Sequence, residues 1–205
     1  GILPTRKGGA LSLDEENQSR RLITRKIQES VEEDYDFTHD HWLILCANKE
    51  YNEGVVGLAA SKLAESYYRP SVIGVEKEDL VRASCRSIPE LNITSALDEC
   101  MDLLVQHGGH AMAAGLTVKK ENLPALKERL SAIIARELSE VELMPVLEGE
   151  MEVNLSDLHP SLFKFLSALE PTGVENPSPI FFARDVEIRR IWAVGKTQDH
   201  LKLTL

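Results

Sequence analysis

Residues 108–115 read Gly-Gly-His-Ala-Met-Ala-Ala-Gly. One titratable side chain, His110, stands among residues with almost no side chain. Paired glycines free the backbone to turn and let a ligand come close. An imidazole adds a hydrogen-bonding head of a type that changes charge near neutral pH. In an extended run, Ala111, Ala113 and Gly115 fall at period two and leave one face nearly bare. That pattern suits an anion held close to backbone. A tight helix-to-strand turn with an exposed His accounts for the same residues without a ligand, as does close helix–sheet packing.

Two other segments carry binding groups. Residues 82–87, Arg-Ala-Ser-Cys-Arg-Ser, read as a strand. Arg86 at its end, beside Ser87, offers a planar fork of donors for phosphate or carboxylate; the plain alternative is a surface Arg paired with an acidic neighbour. Residues 51–57, Tyr-Asn-Glu-Gly-Val-Val-Gly, join a strand to a helix. Helix N-terminal N–H groups favour an anion there, and ordinary packing explains the glycines equally well. His39 and His41 are spaced for a metal or for a solvated strand edge. There is no Asp-rich metal motif, no His-x-x-x-His and no Walker lysine loop. The chain presents binding groups without an evident catalytic engine or metal site.

The elements that must position these groups alternate. Ser12 and Glu15 have capping-box spacing and open a polar helix to about Asp34, after a loose leader at 1–11. Residues 42–47 form an apolar strand-length run, as in a sheet covered on both faces. A helix follows from 54 to near Tyr68, stopped by Arg69-Pro70. Strands are expected at 71–75 and 80–87. Asn92 caps a helix carrying Ile93, Ala96, Leu97, Cys100, Met101 and Leu104. The glycine motif then runs into a strand at 116–118, and 121–138 is an amphipathic helix. This alternation predicts an α/β layer domain. Near Pro145 the composition changes. Residues 147–153, 180–194 and 200–205 read as strands, the last two joined across 195–199, with a short helix at 159–169. We expect a leader and connector helix at 1–36, an α/β domain at 37–142 and a partial β-rich domain at 143–205.

The 205 residues carry a net charge of −10. That argues mildly against a polyanionic partner, but the charge is uneven. Residues 137–160 hold no Lys or Arg, whereas Arg20, Arg21, Arg25 and Lys26 cluster, as do Arg184, Arg189, Arg190, Lys196 and Lys202. A local basic surface on an acidic chain can still bind nucleic acid. Cys46, Cys85 and Cys100 are odd in number and widely spaced, which fits buried thiols in a reducing cytoplasm. No apolar run reaches the roughly 20 residues that span a bilayer. The chain opens at Gly1 without Met, and its last residues read as a strand. We read it as a portion of a longer protein.

The string 108–115 resembles the signature of the DHH-associated domain of the RecJ exonuclease family, which acts on single-stranded DNA. Three more segments agree in order. Residues 13–21 resemble the end of the family's helical connector, and 53–63 with Arg69-Pro70 its strand–helix junction. Residues 169–181 and 200–202 resemble the OB-fold domain that follows. Tyr51 and Asn52 stand where the family commonly has Trp-His, and Thr172 where it has Phe. The resemblance implies a layered α/β domain of mixed sheet and flanking helices, then an OB-like domain. It implies a separate DHH lobe holding Mn2+ or Mg2+ on Asp and His ligands, with 5′ to 3′ phosphodiester hydrolysis in DNA repair and recombination. By the match, Gly108, Gly109 and His110 contact the DNA phosphate, supported by Arg86 and Ser87. Asn52 could donate to a phosphate without carrying charge. His110 would stabilise charge developing on the phosphoryl oxygens. Implied partners are single-stranded DNA, the DHH lobe, a single-strand-binding protein and a helicase, in the cytoplasm with no membrane. Two alternatives stand beside this reading. One is a phosphoesterase for short oligonucleotides or cyclic dinucleotides; the other is a non-catalytic single-strand-binding module.

Overall fold

The computed structural model describes residues 6–36, 41–173, 175–195, 198 and 200–205. His39, Lys196, Thr197 and Asp199 of the sequence reading lie outside the described residues. The chain divides into two compact units, 1–145 and 146–205.

The first unit is built on a five-stranded sheet in the order β1-β2-β3-β5-β4. These strands are β1 (Ile44–Asn48), β2 (Ser71–Lys77), β3 (Leu80–Arg86), β4 (Leu104–His110) and β5 (Ala113–Lys119). β1 and β2 are parallel, joined through helix α2 (Val56–Tyr67), and every other pair is antiparallel. Alternation sorts the side chains into two cores. Leu45, Val72, Val81, Ala83, Cys85, Ala114, Leu116 and Val118 face α3 (Ile93–Asp98) and α4 (Leu123–Leu138). Ile44, Ile73 and Val75 face α2 and α1 (Arg6–Asp34). The first core takes buried residues from β1, β2, β3 and β5. The second takes side chains from β1 and β2 alone among the strands, so beyond them this face of the sheet is uncovered by the core.

Two expectations need correction. The first helix already runs from Arg6, so Ser12 lies within it and not at its start. The helix capped by Asn92 ends at Asp98; a 3-10 turn at Met101–Leu103 follows, and Leu104 begins β4. Asn92 does cap α3, its Oδ1 accepting from the Ser95 N–H at 3.3 Å. The glycine motif is therefore not a turn from helix to strand. Gly108, Gly109 and His110 close β4, Ala111 and Met112 make the turn, and 113–115 open β5. Strand pairing with β5 satisfies the backbone that two glycines could not hold helical.

Cys85 and Cys100 are buried thiols, and burial pushes the Cys85 thiol up to about 12. Cys46 is partly exposed and meets the Tyr51 hydroxyl at 3.6 Å.

The second unit has less regular structure than the long strands expected. β6 (Met151–Glu152) pairs in parallel with β7 (Phe181–Phe182), and α5 spans Pro160–Ser167. β8 (Arg190–Val194) and β9 (His200–Thr204) form a hairpin. None of its described residues is buried, so backbone pairing and caps, and not a core, define these elements. Asn154 and Asp157 make a reciprocal capping box.

Candidate nucleic-acid interface

The hairpin β4–β5 and strand β3 set three rows of side chains across the uncovered face. Arg86 pairs with Ala113, and Ala113 with His110. Ser84 pairs with Gly115, and Gly115 with Gly108. Arg82 pairs with Thr117, and Thr117 with Gln106. Directly opposed residues share a face. The result is a floor of Gly108, Gly115 and Ala113, with Arg86 and His110 flanking its near end. Arg82, Gln106 and Thr117 help line a depression of about 470 Å³ at the other end.

The two glycines of the motif do different things. Gly109 has φ +151°, and an added Cβ would collide with the Ala113 carbonyl oxygen and lie 2.5 Å from Ala114 Cα. Its side toward the sheet is full. Gly108 has no atom within 4 Å of where a Cβ would stand. Packing within this unit gives no reason for a glycine there, whereas close approach by a ligand does. β4 is the sheet's edge strand, so about half of its N–H groups point away from β5.

The hairpin tip is pinned from behind. The Ile93 N–H donates to Ala111 O at 3.0 Å, and the Ser87 N–H to Met112 O at 2.9 Å. Ser87 is buried, and its hydroxyl donates to Leu91 O at 2.7 Å. Adjacent residues of an extended chain point to opposite faces, and the Ser87 hydroxyl turns to Leu91 O and away from the Arg86 guanidinium, although Ser87 lines the same depression as Arg86. Ser87→Ala is expected to lower stability by about 1–2 kcal/mol, because Leu91 O loses its donor. Single-strand affinity, measured beside a thermal melt, is expected to stay within about twofold, under about 0.4 kcal/mol.

Arg86 is half-buried and held by neutral groups. Its Nε donates to Ser61 Oγ at 3.0 Å and its Nη1 to Cys85 O at 2.8 Å. A Cβ on Gly57 would stand 3.1 Å from its Nη2, so the bare Gly57 makes room for the guanidinium. No carboxylate pairs with Arg86 among the described residues. Other arginines differ: Arg82 meets Glu53 at 3.5 Å, Arg129 meets Asp102 at 2.5 Å and Arg136 meets Glu99 at 2.6 Å. The paired surface Arg that the sequence left open is thus not what position 86 holds.

Asn52 is exposed and caps the turn before α2. Its Oδ1 accepts from the Gly54 N–H at 2.8 Å, and its carbonyl from Val55 and Val56 at 3.0 and 3.2 Å. These N-terminal amides are used locally, and no hydrogen bond joins Asn52 to Arg86 or His110. Tyr51 is buried, and its hydroxyl donates to Ser30 Oγ at 3.2 Å. Burial pushes this phenol up to about 12, against the Ser30 hydrogen bond, which lowers it. Glu53 is held below the usual carboxylate range by Lys77 beside it. Ser61 carried no signal as part of a site in the sequence, and Gly57, read there as part of an anion-binding junction, instead makes room for Arg86. Only a tertiary contact brings α2 against the end of β3.

An α/β unit with a bare, cationic sheet face, followed by a β-rich unit, defines the class. The DHHA1 domain family matches residues 39–136, and the RecJ OB domain family matches 150–205. The chain belongs to the RecJ family, across its DHHA1 and OB region. It is 32% identical over 199 residues to the single-stranded-DNA-specific exonuclease RecJ of Bacillus subtilis, covering 96% of this chain and 25% of the relative. It is 33% identical over 150 residues to the RecJ of Thermus thermophilus, covering 72% of this chain and 22% of the relative. The crystal structure of RecJ from Thermus thermophilus in complex with Mn2+ superposes with TM-score 0.75 at 26% identity, covering 95% of this chain and 28% of that one. A Mg2+ complex of the same protein gives TM-score 0.71. The chain spans about a quarter of the length of these relatives.

Among the described residues no group of three or more His, Cys, Asp or Glu comes together to hold a metal ion. The donor set of the described residues does not fit the Mn2+ or Mg2+ of those structures. Among the described residues no helix is long and apolar enough to cross a membrane.

Proposed function

We propose that this chain is the substrate-gripping part of a single-stranded-DNA-specific exonuclease. Arg86, the Gly108–Gly109 backbone and His110 hold one phosphate of the strand on the bare floor of β3, β5 and β4. One observation carries the reading: Arg86 is fixed by Ser61 and Cys85 O, has no carboxylate partner among the described residues, and faces His110 across Ala113, with Gly108 and Gly115 in the next row. A guanidinium immobilised on neutral acceptors keeps its full charge for an incoming anion. Gly108 lets that anion reach edge-strand N–H groups. Ser87 and Asn52 act behind the site, Ser87 on the hairpin tip and Asn52 on the start of α2.

In the second unit, Arg190, Trp192 and Lys202 share one face of the β8–β9 hairpin, with Trp192 opposite Lys202. An exposed indole between cations suits a stacked base and its phosphates. This supports a long single strand over a free dinucleotide as substrate. Hydrolysis proceeds 5′ to 3′ on a divalent ion, manganese or magnesium, held by a DHH lobe, and serves DNA repair and recombination in the cytoplasm. A single-strand-binding protein and a helicase supply the strand.

Arg86→Ala in the intact protein is expected to weaken single-strand binding tenfold or more, about 1.4 kcal/mol. Arg86→Lys restores charge but not the fork and recovers only part of it. Fluorescence anisotropy with single-stranded and duplex oligonucleotides measures both. Unchanged affinity in Arg86→Ala would remove Arg86 from the site, and tighter binding of a cyclic dinucleotide than of long single strands would favour the small-substrate phosphoesterase.

A further inference from the structure

A groove of about 610 Å³ lies between α1 and α2. Arg20, Arg21, Thr24 and Gln28 line it from α1, and Ser61 and Lys62 from α2. Positions 20, 24 and 28 are successive turns on one stripe of α1. The neighbouring stripe, with Ile27 and Val31, is the one sunk into the second core, so packing fixes which donors reach the groove. Arg20 and Arg21 are exposed, and neither has an ion-pair partner among the described residues. The groove's acidic residue, Glu65, is paired with Lys62 at 2.7 Å. Leu58 at the rim is 48% exposed, an apolar surface for a sugar or base.

This groove adjoins Arg86. Ser61 and Glu65 also line a depression of about 370 Å³ that includes Arg86, Met112 and Ala113. The Ser61 hydroxyl that seats the Arg86 Nε is thus a wall of both. We infer that a single strand with one phosphate at Arg86 continues into the α1–α2 groove, where Arg20 and Arg21 take further phosphates of the same backbone. The inference rests on the phosphate reading of Arg86 given above. In a chain of net charge −10, a groove presenting two uncompensated arginines is where a polyanion is drawn.

The test is the salt dependence of binding by the intact protein, in chelator so that the strand is held and not cut. Each phosphate neutralised on a single strand contributes about 0.7 to the slope of log affinity against log salt. For a strand of roughly 20 nucleotides, longer than one OB site, R20A/R21A is expected to lower the slope by about 1.4. R20K/R21K is expected to restore it, and a dinucleotide is expected to show no change. An unchanged slope on the long strand overturns the inference. So does an equal fall on the dinucleotide, since the arginines would then serve the Arg86 phosphate itself. Arg86→Ala, measured in parallel, separates the two ideas. If it weakens both ligands while R20A/R21A alters neither, only the groove inference fails. If Arg86→Ala has no effect on either, the underlying phosphate reading fails.

Discussion

Gly109→Ala is expected to destabilise the first unit by about 3 kcal/mol, while Gly108→Ala one residue earlier leaves it folded and no less stable. The two positions differ in what surrounds them. At Gly109 the backbone has φ +151°, which an L side chain rarely adopts, and a methyl would run into the Ala113 carbonyl and Ala114. Strain and overpacking each cost about 1–3 kcal/mol, and here they act together. At Gly108 the backbone is not in the positive-φ region, and a methyl meets open space. Replacing glycine there restricts the unfolded chain and can raise stability by up to about 1 kcal/mol. The same methyl stands on the floor one row from Arg86 and His110, where on the proposed reading a phosphate comes near the backbone. Gly108→Ala is therefore expected to melt at the same or a higher temperature yet bind single-stranded DNA at least tenfold more weakly, about 1.4 kcal/mol. Thermal melts and anisotropy titrations on both variants check this. Undiminished strand binding in Gly108→Ala would show that nothing approaches the floor at that point.

His110→Ala is expected to lower turnover of the intact enzyme by about 10²–10³-fold, the usual loss on removing one donor aimed at developing charge. Affinity for a long strand is expected to fall much less, because many phosphate contacts share the binding free energy. His110 closes the edge strand beside Ala113 and is exposed, so its loss leaves no hole in the core. It lies across Ala113 from Arg86, so the proposed anion would have a donor on either side. Arg86 is clamped at Nε and Nη1, which in the proposed reading assigns it to the bound phosphate. His110 is the freer group, able to follow charge as it moves onto the phosphoryl oxygens. Single-turnover rates at saturating strand, set against equilibrium binding in chelator, divide the roles. Equal losses in both would make His110 a binding residue only.

Much of this was legible in the residues themselves. Eight residues with one polar head and an almost bare face marked 108–115 as a candidate for close approach. Period-two alternation put Arg82, Ser84 and Arg86 on one face of a strand, because successive extended residues point oppositely. The continuous apolar run near residue 44 marked a strand covered on both sides, and Ile44 and Leu45 do enter different cores. The alternation of helix and strand implied the layered α/β architecture.

Tertiary structure decided the rest. No local signal separates Gly108 from Gly109; the neighbour across the sheet, Ala114 on β5, makes one indispensable to packing and leaves the other free. Ser87 sits beside Arg86 in sequence, yet the pleat turns its hydroxyl into the core toward Leu91 O. Asn52 looked able to donate to a phosphate, and the fold fixes its side chain at the start of α2 through Oδ1, which accepts from the Gly54 N–H. Whether Arg86 was a paired surface charge or an open one depended on α2 supplying Ser61 in place of a carboxylate. Residue type and spacing fix which groups are available and which way alternate side chains point. Which of them remain unpaired depends on contacts between residues far apart in the chain, and that is information only the packed fold contains.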